Sequence, residues 1–211
     1  QEDNLWTVIG YKGGEILSEF PSLSEQVIEQ SEQLGTGHAI QCCLPSIKKS
    51  GCEKCLVVNG DAPVLNSAIL QELISYSEKL DSSFAFLTIE LEDPTGYGRV
   101  VRNQEGSISS IVEEKDIDDP QIRDIKEVNA GVYIISKHVL QNYLHLLSSN
   151  NKQNEYYITE LIDLSVKNNE RVDAYCAGND SALLGINSPH DLAYCEQILM
   201  NKRNRELGSS G

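Results

Sequence analysis

Short apolar runs bounded by Gly, Asn or Ser alternate along the chain with stretches in which apolar residues recur at helical spacing. Leu5-Trp6-Thr7-Val8-Ile9-Gly10 reads as a strand, and Ser24 to Gln33, with Val27 and Ile28 among polar residues, predicts a short helix. Cys55-Leu56-Val57-Val58-Asn59-Gly60-Asp61 is a continuous apolar run ending in Gly-Asp, the pattern of a parallel strand buried on both faces. Asn66 can cap a helix carrying Ile69, Leu70, Leu73, Ile74 and Leu80, and Phe84 to Leu91 is a further strand. Arg99 to Arg102, a turn at 103–106 and Ile108 to Glu114 predict a hairpin. After a strand over Val128 to Ile135, Ser136 caps a helix bearing Val139, Leu140, Tyr143, Leu144 and Leu147. A polar loop follows at 148–154, then a helix over Tyr156 to Val166 and a strand over Arg171 to Cys176. Ser188 and Pro189 stand at the N-cap and first position of a terminal helix. Strands and helices alternate around a β-rich interruption, which places the chain in the α/β class with a mainly parallel sheet.

The 211 residues make about one domain, large enough to fold without a disulfide or metal staple. The reading takes residues 1–203 as that domain and 204–211, ending Gly-Ser-Ser-Gly, as a tail. Acidic residues exceed basic ones by 32 to 17, a net charge of −15 with Lys and Arg scattered. Nucleic acid and anionic membranes are therefore poor partners, whereas a small anionic substrate can be neutralised locally by Mg²⁺ or a few donors. No run of 18 apolar residues predicts a membrane span. Of six cysteines, Cys52 and Cys55 form a C-x-x-C spacing, open to thiol chemistry, half a zinc site or simple burial before a strand; reduced thiols fit a cytoplasmic protein. Asn179-Asp180-Ser181 is an N-x-S sequon, uninformative on its own.

Several segments hold candidate chemistry. Asp61 follows an apolar run and a Gly, where an open sheet presents its ligand-binding ends; it is either a Mg²⁺ ligand or a turn residue. Gln33-Leu34-Gly35-Thr36-Gly37-His38-Ala39 offers backbone N–H groups to a base or phosphate, or is a plain helix connection. Asp93-Pro94-Thr95-Gly96-Tyr97-Gly98-Arg99 is dense in turn formers. On a continued strand, Glu113 and Lys115 would share a face and could meet sugar hydroxyls or phosphate. Asn129, inside an apolar segment, needs a partner in the backbone or a ligand.

In this order and spacing, "QLGTGHA" at 33–39, "GDAP" at 60–63, "DPTGYGR" at 93–99, "IVEEKD" at 111–116, "EVNAGVY" at 127–133, "NEYYITELI" at 154–162 and "GIN" at 185–187 closely resemble one family. It is the uridylyltransferase (pyrophosphorylase) domain of the bacterial bifunctional N-acetylglucosamine-1-phosphate uridylyltransferase and glucosamine-1-phosphate acetyltransferase. The likeness covers nearly the whole chain from Leu5 to Leu199. It implies a Rossmann-like nucleotide-diphospho-sugar transferase fold. The implied reaction is transfer of UMP from UTP to N-acetylglucosamine 1-phosphate with Mg²⁺, giving UDP-N-acetylglucosamine and pyrophosphate, in the cytoplasm and in supply of cell-wall and lipopolysaccharide synthesis.

The resemblance also implies site roles. Gln30, Gly35, Thr36, Asn59, Gly60 and Asp61 would bind the nucleotide. Gly98, Glu113, Asn129, Tyr157, Thr159 and Asn187 would bind the sugar, and Asp61 with Asn187 the metal. Three features depart from the family. Asn59 stands in place of a usual Tyr. The hexapeptide-repeat β-helix with the acetyltransferase has no counterpart. Nor do the opening strand and the "GxGTRM…PK" loop with its Arg and Lys, so two inner strand edges are expected to be unpaired. The expectations are therefore part of a longer enzyme, a rearranged and inactive sheet, a non-catalytic nucleotide-sugar-binding or regulatory homologue, or a transferase for another sugar or base.

Overall fold

The computed structural model describes residues 4–179, 183, 185, 186 and 188–208. The elements in chain order are β1 (Thr7–Ile9), α1 (Gly13–Glu19), β2 (Val27–Glu29), α2 (Thr36–Lys49), β3 (Lys54–Val58), α3 (Ser67–Leu80), β4 (Phe84–Glu90), β5 (Arg99–Arg102), β6 (Ile108–Val112), α4 (Pro120–Arg123), β7 (Glu127–Ser136), α5 (Lys137–Tyr143), α6 (Glu160–Lys167), β8 (Val172–Cys176) and α7 (Pro189–Gly208). Among the described residues no helix is long and apolar enough to cross a membrane. The sequon's Asp180 and Ser181 lie outside them.

The main sheet has six strands in the order β6-β5-β7-β4-β8, with β3 also paired to β7. β3, β4, β5 and β8 run one way, and β7 and β6 run the other. The majority direction agrees with a mainly parallel sheet, although β7 inserts antiparallel between its neighbours. β4 lies between β7 and β8, and all of its residues except Glu90 are buried. Its alternating side chains feed two cores. Phe84 and Phe86 join Ile40, Ile47, Leu140, Leu161 and Ile162 on the face covered by α2, α5 and α6. Ala85, Leu87 and Ile89 join Leu73 of α3 and Val132 and Ile134 of β7 on the other.

The caps form as the sequence predicts. Asn66 accepts from the N–H groups of Ala68 and Ile69 at 3.0 and 3.1 Å, Ser136 accepts from Val139 N at 3.2 Å, and Ser188 accepts from Asp191 N at 3.2 Å. The terminal helix continues to Gly208, so the boundary placed after residue 203 falls within it.

Four segments differ from expectation. Residues 24–33 are not helical: a 3-10 turn over Pro21–Gln26 leads into β2, because Val27 and Ile28 pair in parallel with Thr7 and Val8. β3 is not a parallel strand buried on both faces; its one partner among the described residues is β7, antiparallel, and Leu56 and Val58 are each 42% exposed. β6 ends at Val112, and Glu114–Asp116 turn as a 3-10 segment with Lys115 exposed, so Glu113 and Lys115 do not share a strand face. The helix predicted from Tyr156 begins at Glu160, since the backbone before it is bonded elsewhere.

β1 and β2 form a separate two-stranded sheet, while the outer edge of β3 is unpaired among the described residues. The β3 strand at that edge carries two exposed apolar side chains, Leu56 and Val58. Such an edge templates association between copies. The chain spanning residues 1–211 should therefore self-associate in a concentration-dependent way. Light scattering on Leu56→Lys should show a shift toward monomer, with stability changed by less than about 1 kcal/mol at so exposed a position.

Candidate active site

The loop after β2 forms one wall. Gln30 donates from its backbone to Ile9 O at 2.8 Å, and its Nε2 lies 3.0 Å from both Gly35 O and His38 Nδ1. Gly35 has φ +103, and a Cβ there would come within 2.7 Å of Tyr156 O. No other residue satisfies both the backbone angle and the approach. The loop is laced to the chain before α6. Tyr156 N donates to Leu34 O and Gly37 N to Tyr156 O, both at 2.7 Å, and Ile158 N donates to Thr36 Oγ1 at 3.1 Å. The Tyr156 carbonyl, which a helix starting there would present to Glu160 N, is taken by Gly37 N, so α6 starts late.

A second wall follows β3. The Asn59 side chain lies over Gly131 of β7, where a Cβ would come within 2.6 Å of Asn59 Nδ2; Gly131 also has φ +72. Asp61 is exposed. Its backbone carbonyl accepts from Ile186 N at 2.9 Å, and its carboxylate lies against Gly185, where a Cβ would meet Oδ2 at 2.6 Å. The segment carrying "GIN" thus packs on Asp61, although Asn187 itself lies outside the described residues. Gly60 is exposed, with open space at its α-carbon.

Between these walls, residues far apart in sequence converge. Thr159 Oγ1 donates to Glu113 Oε1 at 2.7 Å. Gly98 lies so close to Glu113 that a Cβ would approach Oε2 to 3.1 Å, and Asn129 N donates to Gly98 O at 2.9 Å. The Asn129 side chain donates to Tyr133 Oη at 2.7 Å and accepts from Gly131 N at 3.1 Å. The Tyr157 hydroxyl is buried, within reach of the Gln153 and Asp116 side chains. Burial, with the Asp116 carboxylate nearby, pushes that phenol up to about 12. Burial also raises Glu113, aided by Asp116 and Glu155, against the lowering effect of the Thr159 hydroxyl.

The structure therefore brings together Gly98, Glu113, Asn129 and Thr159, with Tyr157 close enough for Glu113 to act on its phenol. The 156–159 segment links this group to Gln30, Gly35 and Thr36, and residues 129–131 link it to Asn59. Three organising residues escape the sequence reading. Arg99, 1% exposed, donates to the Tyr97 carbonyl and pairs with Glu114 at 2.8 Å, tying the 97–99 turn to the turn beside Glu113. Asn151 holds the loop before Tyr156 through Glu155 O at 2.6 Å and Glu155 N at 3.1 Å. Tyr133 supports Asn129. Arg99 and Tyr133 close the motifs at 93–99 and 127–133, whereas Asn151 sits in a polar loop with no motif of its own.

The nucleotidyl transferase family pattern matches residues 11–181 of the chain. This chain belongs to the nucleotidyl transferase family. Among curated proteins it is 41% identical over 196 residues to the bifunctional protein GlmU of Lawsonia intracellularis, covering 92% of this chain and 42% of that protein. It is 37% identical over 212 residues to the GlmU of Legionella pneumophila strain Corby, covering 99% and 45%. The chain thus spans less than half the length of these relatives. Solved structures share the fold of this transferase at lower identity. HddC from Yersinia pseudotuberculosis has a TM-score of 0.60 at 22% identity, covering 90% of this chain and 76% of that one. A UDP-glucose pyrophosphorylase complexed with UDP-glucose has a TM-score of 0.56 at 22% identity, covering 83% and 67%.

The Glu113–Thr159 pair generates a stability prediction. Because the Glu113 carboxyl is raised in the folded state, the native protein keeps a proton that the unfolded chain releases, and stability falls as pH rises through the raised value. Glu113→Gln removes that loss, so it should melt no lower than the parent at about pH 8. Thr159→Val strips a donor from a mostly buried carboxylate and should cost about 1.5–3 kcal/mol near neutral pH. The double variant should cost less than Thr159→Val alone, as measured by denaturant unfolding.

Proposed function

We propose that this nucleotidyltransferase transfers UMP from UTP to N-acetylglucosamine 1-phosphate, releasing pyrophosphate and yielding UDP-N-acetylglucosamine. The observation that carries the reading is the convergence of Gly98, Glu113, Asn129 and Thr159, with the buried Tyr157 hydroxyl beside them. A buried phenol beside a carboxylate and an amide is an apt receptor for a sugar, which offers both donors and acceptors. The curated relatives, named bifunctional protein GlmU, support the same assignment.

In this proposal Glu113 accepts from sugar hydroxyls, and Asn129, Tyr157 and Thr159 fix the ring. Gln30, Gly35 and Thr36 hold the nucleoside, with Asn59 and Gly60 alongside it. The sugar-phosphate oxygen attacks the α-phosphorus of UTP as the bond to pyrophosphate breaks, a reaction that depends on positioning and charge neutralisation. Asp61 would hold Mg²⁺ together with Asn187. Among the described residues no group of three or more acidic, His or Cys residues could hold a metal. One exposed carboxylate suits an ion that draws its remaining ligands from substrate phosphates and water. When bound, that ion would neutralise phosphate charge. The proposal sets the reaction in the cytoplasm.

The test is pyrophosphate release from UTP and N-acetylglucosamine 1-phosphate with Mg²⁺. Asp61→Asn should lower turnover by at least about a hundredfold, while Tyr157→Phe should weaken use of the sugar phosphate more than of UTP. Binding of UDP-N-acetylglucosamine without any turnover would sink the transfer reading and leave a nucleotide-sugar-binding protein. Turnover with a different sugar phosphate or base would sink the substrate assignment alone.

A further inference from the structure

We infer that Cys52 and Cys55 form a reversible dithiol–disulfide site at the junction of α2 and β3, which takes low-molecular-weight disulfides as its reactant. The two sulfurs lie 3.9 Å apart, and both residues are half-buried. A disulfide spans about 2.05 Å, so side-chain rotation has only about 2 Å to close. Neighbouring elements fix the turn that carries the pair. Lys137 N donates to Glu53 O at 2.8 Å, Lys137 Nζ donates to Ser50 O at 2.7 Å, and Cys55 is registered opposite Ile135 of β7. The thiols are thus held together before any oxidation, which raises the effective concentration of the second for the first.

The surroundings assign different roles to the two sulfurs. Ser50 Oγ stands 2.8 Å from Cys52 Sγ and 2.7 Å from Ile47 O. Its hydrogen can serve the carbonyl while Cys52 is a thiol and turn to the sulfur when it is a thiolate. Burial, reinforced by Cys52 and by Cys43, pushes the Cys55 thiol up to about 12, so Cys55 stays protonated until the second step. Cys52 thiolate therefore attacks one sulfur of the small disulfide, forming a mixed disulfide and releasing the other half as a thiolate. Cys55 then gives its proton to that thiolate or to water and attacks Cys52 Sγ. The bond from Cys52 to the small thiol breaks, and the second small thiol leaves. One small disulfide is reduced to two thiols as two protein thiols are oxidised to one disulfide.

This site lies at the opposite end of β3 from Asn59 to Asp61 and is independent of the proposed reaction. The test uses the folded full chain, checked by circular dichroism, titrated with oxidised glutathione, quenched by alkylation and mapped by mass spectrometry. An intramolecular disulfide between 52 and 55 should be half-formed at a concentration at least about tenfold below that which half-modifies the exposed Cys176. Cys55→Ser should instead accumulate a mixed disulfide on Cys52, and dithiothreitol should reverse both. The inference is overturned if Cys52 and Cys55 remain reduced when Cys176 is modified, if oxidation maps to Cys42 or Cys43, or if Cys55→Ser traps nothing on Cys52.

Discussion

β7 carries the geometry on which both the sheet and the site depend. Its C-terminal half pairs with β3 and β4, and its N-terminal half pairs with β4 and β5, with a register shift on the β4 side. Gly131, at φ +72, lies at the transition, where the strand must bend and where Asn59 rests against the backbone. A side chain there would both strain the backbone and displace Asn59. That bend also allows Asn129 to bond Gly98 through its backbone and Gly131 through its side chain. A sheet irregularity thus becomes the shared support for the end of β3, the turn at 98 and the group around Glu113.

The lacing between residues 34–37 and 156–158 complements it from the helical side. It joins the start of α2 to the approach to α6 through backbone groups, so the loop geometry depends on Gly35 lacking a side chain rather than on any particular polar one. Since Thr159 directly follows this segment, any displacement of residues 156–158 would reach Glu113 through the hydroxyl contact. The Arg99–Glu114 pair anchors the residue that directly follows Glu113. A fully buried guanidinium is costly unless paired, so breaking this pair would leave an uncompensated charge in the interior.

Much of this was legible in the sequence because it rests on local chemistry. Asn66, Ser136 and Ser188 cap their helices, and the 103–106 turn joins a hairpin, since short-range hydrogen bonds decide such features. The misses arise where distant segments compete for the same backbone. Val27 and Ile28 look helical in isolation but find a strand partner in β1. Residues 156–159 have helical spacing, but Tyr156 gives its N–H and carbonyl, and Ile158 its N–H, to residues 34–37. The direction of β7 was also hidden, because an apolar run does not state whether its neighbours run with it or against it. The residues that converge around Glu113 were named through the resemblance, whereas Asn151, which holds the loop before Tyr156, carries no local signature.

Electrostatics connect the site to the acidity of the whole chain. The Asp116 and Glu155 carboxylates raise Glu113, and those of Asp116 and Glu113 raise the Tyr157 phenol, so this region repels added negative charge. Its capacity is for hydroxyls and amides, which carry no charge, and Glu113 can receive a hydrogen bond whether or not it retains its proton on one oxygen. In the proposed reaction, the phosphate of a bound sugar phosphate would lie away from Glu113, and Asp61 would need a cation to receive it. In a chain of net charge −15, a carboxylate beside a phosphate is tolerable only with a cation between them. The separation of the proposed sugar-facing group from the proposed metal-dependent phosphate end would thus follow from the charges as much as from the fold.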